Sequence, residues 1–164
     1  MKREIKFRGL STVDYEDLEI KKGKWVYGSL VFENKQPYIV GEVVEANDEY
    51  INLEQWIPVI PESVGQYTGL KDKKGKEIYE GDILKLDGGG GSSFGSVGFE
   101  RGCFTFNASW LEKEKEYMPE LYRYTFFAEL KKGKAFKDCI VVEIIGNIYE
   151  NNNLLNKENK ELLK

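Results

Sequence analysis

The sequence predicts a mainly β protein with few short helices. Three observations carry that expectation. Aromatic residues make up 13% of the chain, and aromatic and β-branched side chains suit a pleated, half-buried surface. Short alternating or β-branched segments recur along the chain, and residues 138–149 are the densest of them. Polar clusters holding Gly or Asn separate these segments, as turns separate strands.

At 164 residues the chain has room for one domain or two small ones. Apolar residues make up 41%. A chain of this size buries about two-thirds of its unfolded surface, enough to fold without staples.

The elements follow in order. Ile5-Lys6-Phe7 alternates and reads as a first strand. Residues 11–24 are polar and read as a loop closed by a turn at Lys22-Gly23. Residues 25–32 form a strand expected to be interrupted at Gly28. Asn34-Lys35-Gln36-Pro37 is a turn signal, and 38–44 returns as the partner strand, with Pro37 at its start because proline cannot donate inside a ladder. Asn47-Asp48-Glu49 marks the next connection. Residues 56–61 are apolar but punctuated by Pro58 and Pro61, so they read as an extended edge or a crossing between lobes. Residues 64–84 read as a strand, a solvated turn at 71–76 with Gly75 free to take positive φ, and a second strand. Ile83, Leu84 and Leu86 begin a strand running into the glycines at 88–91, which are expected to be a mobile hairpin connection. Residues 97–106 continue β-like, with Phe104 and Phe106 on one face. Residues 110–130 fit either a helix starting at Pro119 or an aromatic strand over 122–127. A turn at 131–134 precedes the strand at 138–149. Leu154, Leu155, Leu162 and Leu163 fit a short docking helix, with a frayed end as the alternative.

Lys-Lys-Gly-Lys occurs three times, from Lys21, Lys73 and Lys131. The match is short and its spacing irregular, so recurrent turn chemistry explains it better than duplication.

Composition excludes more than it assigns. With no histidine, the chain can build neither a Ser-His-Asp triad nor a Cys-His dyad nor an HExxH zinc site. The glycines match neither phosphate-loop pattern. Cys103 and Cys139 sit in apolar, strand-like settings and are expected to be reduced, buried thiols, with a disulfide between them as the alternative. No cofactor or metal site is expected. Glu80 and Asp82 would share a face if 76–84 were one strand, as a carboxylate-metal enzyme would need. Turn chemistry is the cheaper account, because the carboxylate of Asp82 can accept local backbone N–H bonds. The expectation is therefore a protein that is not an enzyme.

Net charge is −4, with 24 Lys and Arg against 28 Asp and Glu. Such a surface has no general pull toward nucleic acid or anionic membrane. Apolar runs fall far short of the roughly 20 residues a bilayer span needs, and no apolar leader is visible, so a cytosolic protein is expected.

Three segments resemble the YopX family of phage and prophage proteins. The first is Arg3-Glu4-Ile5-Lys6-Phe7-Arg8. The second runs from Gly65-Gln66-Tyr67-Thr68-Gly69-Leu70-Lys71-Asp72 through Gly75-Lys76 to Ile78-Tyr79-Glu80-Gly81-Asp82-Ile83. The third is Ile145-Gly146-Asn147-Ile148-Tyr149-Glu150-Asn151, followed by Leu154-Leu155. Asn152-Asn153 stand where the family usually has a proline. The resemblance implies a small, cytosolic, β-rich protein and supplies no catalytic residues. The Gly81-Asp82-Ile83 step into a strand suggests a small SH3-like barrel in the C-terminal half, packed with N-terminal β-hairpins. The expected division is a β subdomain over 1–60 and a barrel-like subdomain over 61–164, ending in a short tail or helix.

The leading functional expectation is a non-enzymatic module that binds a protein through exposed aromatics. The alternative is a small barrel for single-stranded nucleic acid, with Lys71, Lys73, Lys74 and Lys76 on phosphates and Tyr67 or Tyr79 stacking a base. A homo-oligomer fits either.

Overall fold

The computed structural model describes residues 4–88, 91–108 and 141–155. Their strands are, in chain order, β1 (Phe7–Leu10), β2 (Trp25–Glu33), β3 (Gln36–Val40), β4 (Val43–Ala46), β5 (Ile51–Leu53), β6 (Trp56–Pro58), β7 (Gly65–Lys71), β8 (Glu77–Tyr79), β9 (Asp82–Gly88), β10 (Gly91–Glu100), β11 (Cys103–Ala108) and β12 (Val141–Asn147). Short 3-10 turns occupy Glu16–Leu18, Pro61–Ser63 and Asn152–Leu155. The protein is mainly β. The chain separates into two compact units, Met1–Tyr67 and Thr68–Lys164, with the boundary inside β7.

In the first unit an antiparallel sheet runs β6-β3-β2-β1, and Gly65 and Gln66 of β7 continue it beyond β1. Period-two alternation puts Val26, Ile39 and Ile57 on one face, where they are buried with Val59 and covered by Phe7, Val13, Ile20, Leu30 and Val64. Each such side chain contributes about 1.5–3 kcal/mol when fully buried. Strand β2 is not interrupted at Gly28. A Cβ there would lie 2.1 Å from the Val40 carbonyl oxygen, so the glycine admits the neighbouring strand instead of breaking its own. The returning strand expected over 38–44 divides: β3 ends at Val40 and β4 begins a separate ribbon with β5. Asn47 turns that ribbon, its side-chain oxygen accepting the N–H groups of Glu49 and Tyr50. Strand β6 is the edge strand its prolines predict. The first strand starts two residues later than Ile5 suggested, because Phe7 is its first residue paired with β2.

In the second unit the strand order is β11-β10-β9-β12, all antiparallel. Its core is Ile78, Leu84, Leu86, Val97 and Phe106, with Leu70, Phe104, Val142 and Ile144 against it. Phe104 and Phe106 therefore share a face as expected. The later half of β7 lies beside β8, and the Thr68 hydroxyl donates to the Ile78 carbonyl. Two stretches expected to run on as single strands are broken by turns. The stretch 97–106 folds back at Arg101 and Gly102, both at positive φ. The stretch 76–84 breaks at Gly81, whose φ is +79°, so Glu80 and Asp82 do not lie on one strand. Among the described residues the sheets are open and do not close into a barrel: β11 and β12 are the two edges of theirs.

Cys103 is a half-buried free thiol whose S–H points at the Glu100 carbonyl, 3.4 Å away. Cys139, the helix-or-strand alternatives over 110–130, the turn at 131–134, Gly89 and Gly90, and Leu162 and Leu163 lie outside the described residues. No helix among the described residues is long and apolar enough to cross a membrane.

Candidate interaction surface

The lysine turn between β7 and β8 is built around one carboxylate. Asp72 is 8% exposed. Its Oδ1 accepts the N–H groups of Lys74 at 2.8 Å and Lys76 at 2.9 Å, and its Oδ2 accepts the N–H of Ile144 at 3.3 Å. Burial works against its charge, but the N–H donors of Lys76, Lys74 and Ile144 and the Lys74 cation outweigh it, so its pKa lies below the ordinary value. The Lys73 N–H donates to the Val142 carbonyl at 2.9 Å. The ammonium groups of Lys73 and Lys74 each sit 2.6 Å from an oxygen of Glu143. Those two lysines, first by hydrogen bonding and then by charge, pull the Glu143 pKa from 4.5 down to about 2.

The six residues expected to hold single-stranded nucleic acid are therefore not an array. Lys73 and Lys74 are spent on Glu143. Lys71 and Lys76 are exposed at the two ends of the turn. Tyr67 is 4% exposed and Tyr79 is 1% exposed, so neither offers a ring face to a base. Tyr79 is occupied locally: its hydroxyl donates to Glu77 at 2.7 Å and its N–H to Oδ2 of Asp82 at 2.8 Å. Asp82 thus has the turn role its sequence position predicts.

The signature segments near 81 and 147 also hold backbone. Gly81 donates to the Val97 carbonyl and accepts from the Ile148 N–H, while the Tyr149 ring edge lies 3.1 Å from where a Cβ would stand. The Asn147 side-chain oxygen accepts the N–H groups of Tyr149 and Glu150, and its amide donates to the Glu150 carboxylate. Among the described residues no group of three or more His, Cys, Asp or Glu is placed to hold a metal ion.

The surface that does stand out is the β4–β5 ribbon. The Gly41 N–H donates to Gln55 and the Glu54 N–H to Glu42, so the ribbon continues the β3–β6 pairing beyond the sheet. Every residue from 42 to 52 is exposed. Val43, Val44, Tyr50 and Ile51 are 59%, 66%, 47% and 66% exposed. Both faces of this two-stranded piece therefore meet solvent, where a lone hairpin is marginal in stability. At its base Trp56, also exposed, packs its ring 5.6 Å from that of Tyr38. Sequence reasoning missed the ribbon because Val43 and Val44 look like core. The signal it carried was the adjacency of two apolar residues in one strand: alternation lets at most one face inward.

A family model described as YopX protein matches residues 11–156. No curated protein matches the chain. Among solved structures the chain is similar to one titled "Crystal structure of protein EF1440 from Enterococcus faecalis", at 20% identity over 94% of this chain and all of that one, with a TM-score of 0.49.

Proposed function

This chain belongs to the YopX family, and we propose that it is a non-enzymatic protein-interaction module, phage- or prophage-encoded and acting in the cytosol. The observation that carries the interaction reading is the ribbon: Val43, Val44, Tyr50 and Ile51 are exposed on a piece that, among the described residues, is two-stranded. Large apolar side chains gathered in one exposed element are a feature of interaction sites. Tyr is a frequent anchor of interfaces. The phage and cytosolic parts rest on the family resemblance.

Single-stranded nucleic acid is the weaker alternative, since two of its four lysines are paired and both tyrosines are buried. The test is affinity capture by the full chain and by the double variant Val44→Ser/Ile51→Ser. Phe32→Ser, at an exposed site outside the ribbon, is the control. Loss of a captured protein with the double variant, but not with the control, supports the reading. Capture that disappears only on nuclease treatment overturns it in favour of nucleic acid.

A further inference from the structure

The ribbon has a charge as well as an apolar surface. Between Gly41 and Gln55 stand Glu42, Glu45, Asp48, Glu49 and Glu54, with no Lys or Arg. All five are exposed. Among the described residues none of the five forms an ion pair. This hairpin, like residues 14–19, therefore concentrates negative charge beyond what the net −4 implies. Tyr50 belongs to the same field: its hydroxyl bonds to Glu45, which raises its pKa above the ordinary value.

We propose that the β4–β5 ribbon docks on the cationic face of a protein partner, which covers its exposed apolar side chains and pairs its carboxylates. This rests on the interaction reading and names its chemistry. Charge decides between occupants. A second copy would bring five carboxylates against five, and like charges across an interface disfavour association. Nucleic acid and anionic lipid are repelled for the same reason. A basic surface with an apolar centre is attracted at long range and then loses apolar area to contact, which matches the polar rim and apolar core of specific interfaces.

The experiment uses the tagged full chain and source-cell lysate split by cation exchange into retained and unretained fractions. Each captured protein is identified, purified and titrated against three chains: the unaltered one, Val44→Ser/Ile51→Ser, and Glu42→Lys/Asp48→Lys/Glu49→Lys. Circular dichroism establishes that both variants fold. The expected partner comes from the retained fraction. Its affinity should fall about 10-fold or more between about 50 mM and about 300 mM salt, and by a similar factor with the lysine variant.

Several outcomes overturn the proposal. A partner from the unretained fraction, bound independently of salt yet lost with the serine variant, removes the cationic partner and leaves the interaction reading standing. Capture unaffected by either variant, or no capture from either fraction, removes both. A dimer in sedimentation that the serine variant dissociates assigns the ribbon to a second copy instead.

Discussion

Residues 21–24 and 73–76 are both Lys-Lys-Gly-Lys, and they turn the chain in different ways. In the first unit the tetrapeptide is itself the turn: Lys24 donates to the Lys21 carbonyl, and Gly23 sits third, at φ +79°. In the second unit the turn begins one residue earlier. Gly75 donates to the Asp72 carbonyl and sits fourth, at φ +82°, and the Asp72 N–H returns to the Lys76 carbonyl. That is a type I turn closed by a left-handed glycine, a common three-residue hairpin loop. The residue ahead of the motif makes the difference. The Ile20 side chain packs against the first core and has no acceptor atom. Asp72 accepts the N–H of Lys74 two residues on, which is how aspartate initiates a turn. A recurrent motif is therefore weak evidence of recurrent structure when its neighbour can hydrogen-bond.

The largest expected effect follows from that acceptor. Asp72→Ala leaves three N–H groups without their carboxylate, one of them on the half-buried Ile144. The expected loss is about 2 kcal/mol, read as a shifted urea midpoint. Asp14→Ala is the matched change in the first unit. There, among the described residues, an exposed carboxylate accepts only the Lys22 N–H, and the expected loss is within about 0.5 kcal/mol. Equal losses would break the contrast between the two turns.

The glycines should behave alike, which sharpens the same contrast. A Cβ at Gly23 or Gly75 meets nothing within 4 Å, so only the backbone conformation opposes it. Gly23→Ala and Gly75→Ala should each cost about 1 kcal/mol in denaturant unfolding. A markedly larger loss at Gly75 would mean that the glycine also sets the register of β8.

Acid should act on the second turn through Glu143 and Asp72. Both carboxyls have a folded pKa below their ordinary value. The stability they contribute is therefore fully present above the ordinary carboxylate range and is lost as pH falls through the folded values. For Glu143 that window runs from 4.5 to about 2. Amide protection at Lys74 and Ile144, taken relative to the intrinsic exchange rate at each pH, should fall across it, and Glu143→Gln should remove the part due to the lysine pairs. Protection that stays flat with pH would mean the turn is held by its backbone alone.

Much of this architecture was legible. Turn residues located the β2–β3 hairpin, a connection at Asn47 and the β7–β8 loop, because Asn, Asp and Gly act there through bonds and dihedrals fixed within a few residues. Arg101-Gly102 escaped because arginine rarely takes the positive φ it has here, so no turn residue announced it before the glycine. Gly28 misled for the opposite reason: its cause is Val40 on another strand, which local pattern cannot show. The candidate site divided in the same way. That Asp82 bonds a nearby N–H is a local fact and was readable. Whether Tyr67 and Tyr79 are buried and Val44 and Ile51 exposed depends on what the fold lays over them.

The smallest expected effect concerns the lysines themselves. Lys73 and Lys74 share Glu143, but Lys74 is well exposed, and exposed ion pairs are worth little once side-chain ordering and screening are counted. Lys73→Ala and Lys74→Ala should each cost only a few tenths of a kcal/mol. Lys21→Ala and Lys22→Ala, with no ion pair among the described residues, should fall at or below that. A double-mutant cycle between Lys74 and Glu143 isolates the pair and should shrink further with added salt. A coupling well above a few tenths would make the lysine turn a specific clamp on β12. A vanishing one would leave Asp72 as the residue that distinguishes the two turns, since the charge pairs would then follow the geometry the aspartate sets.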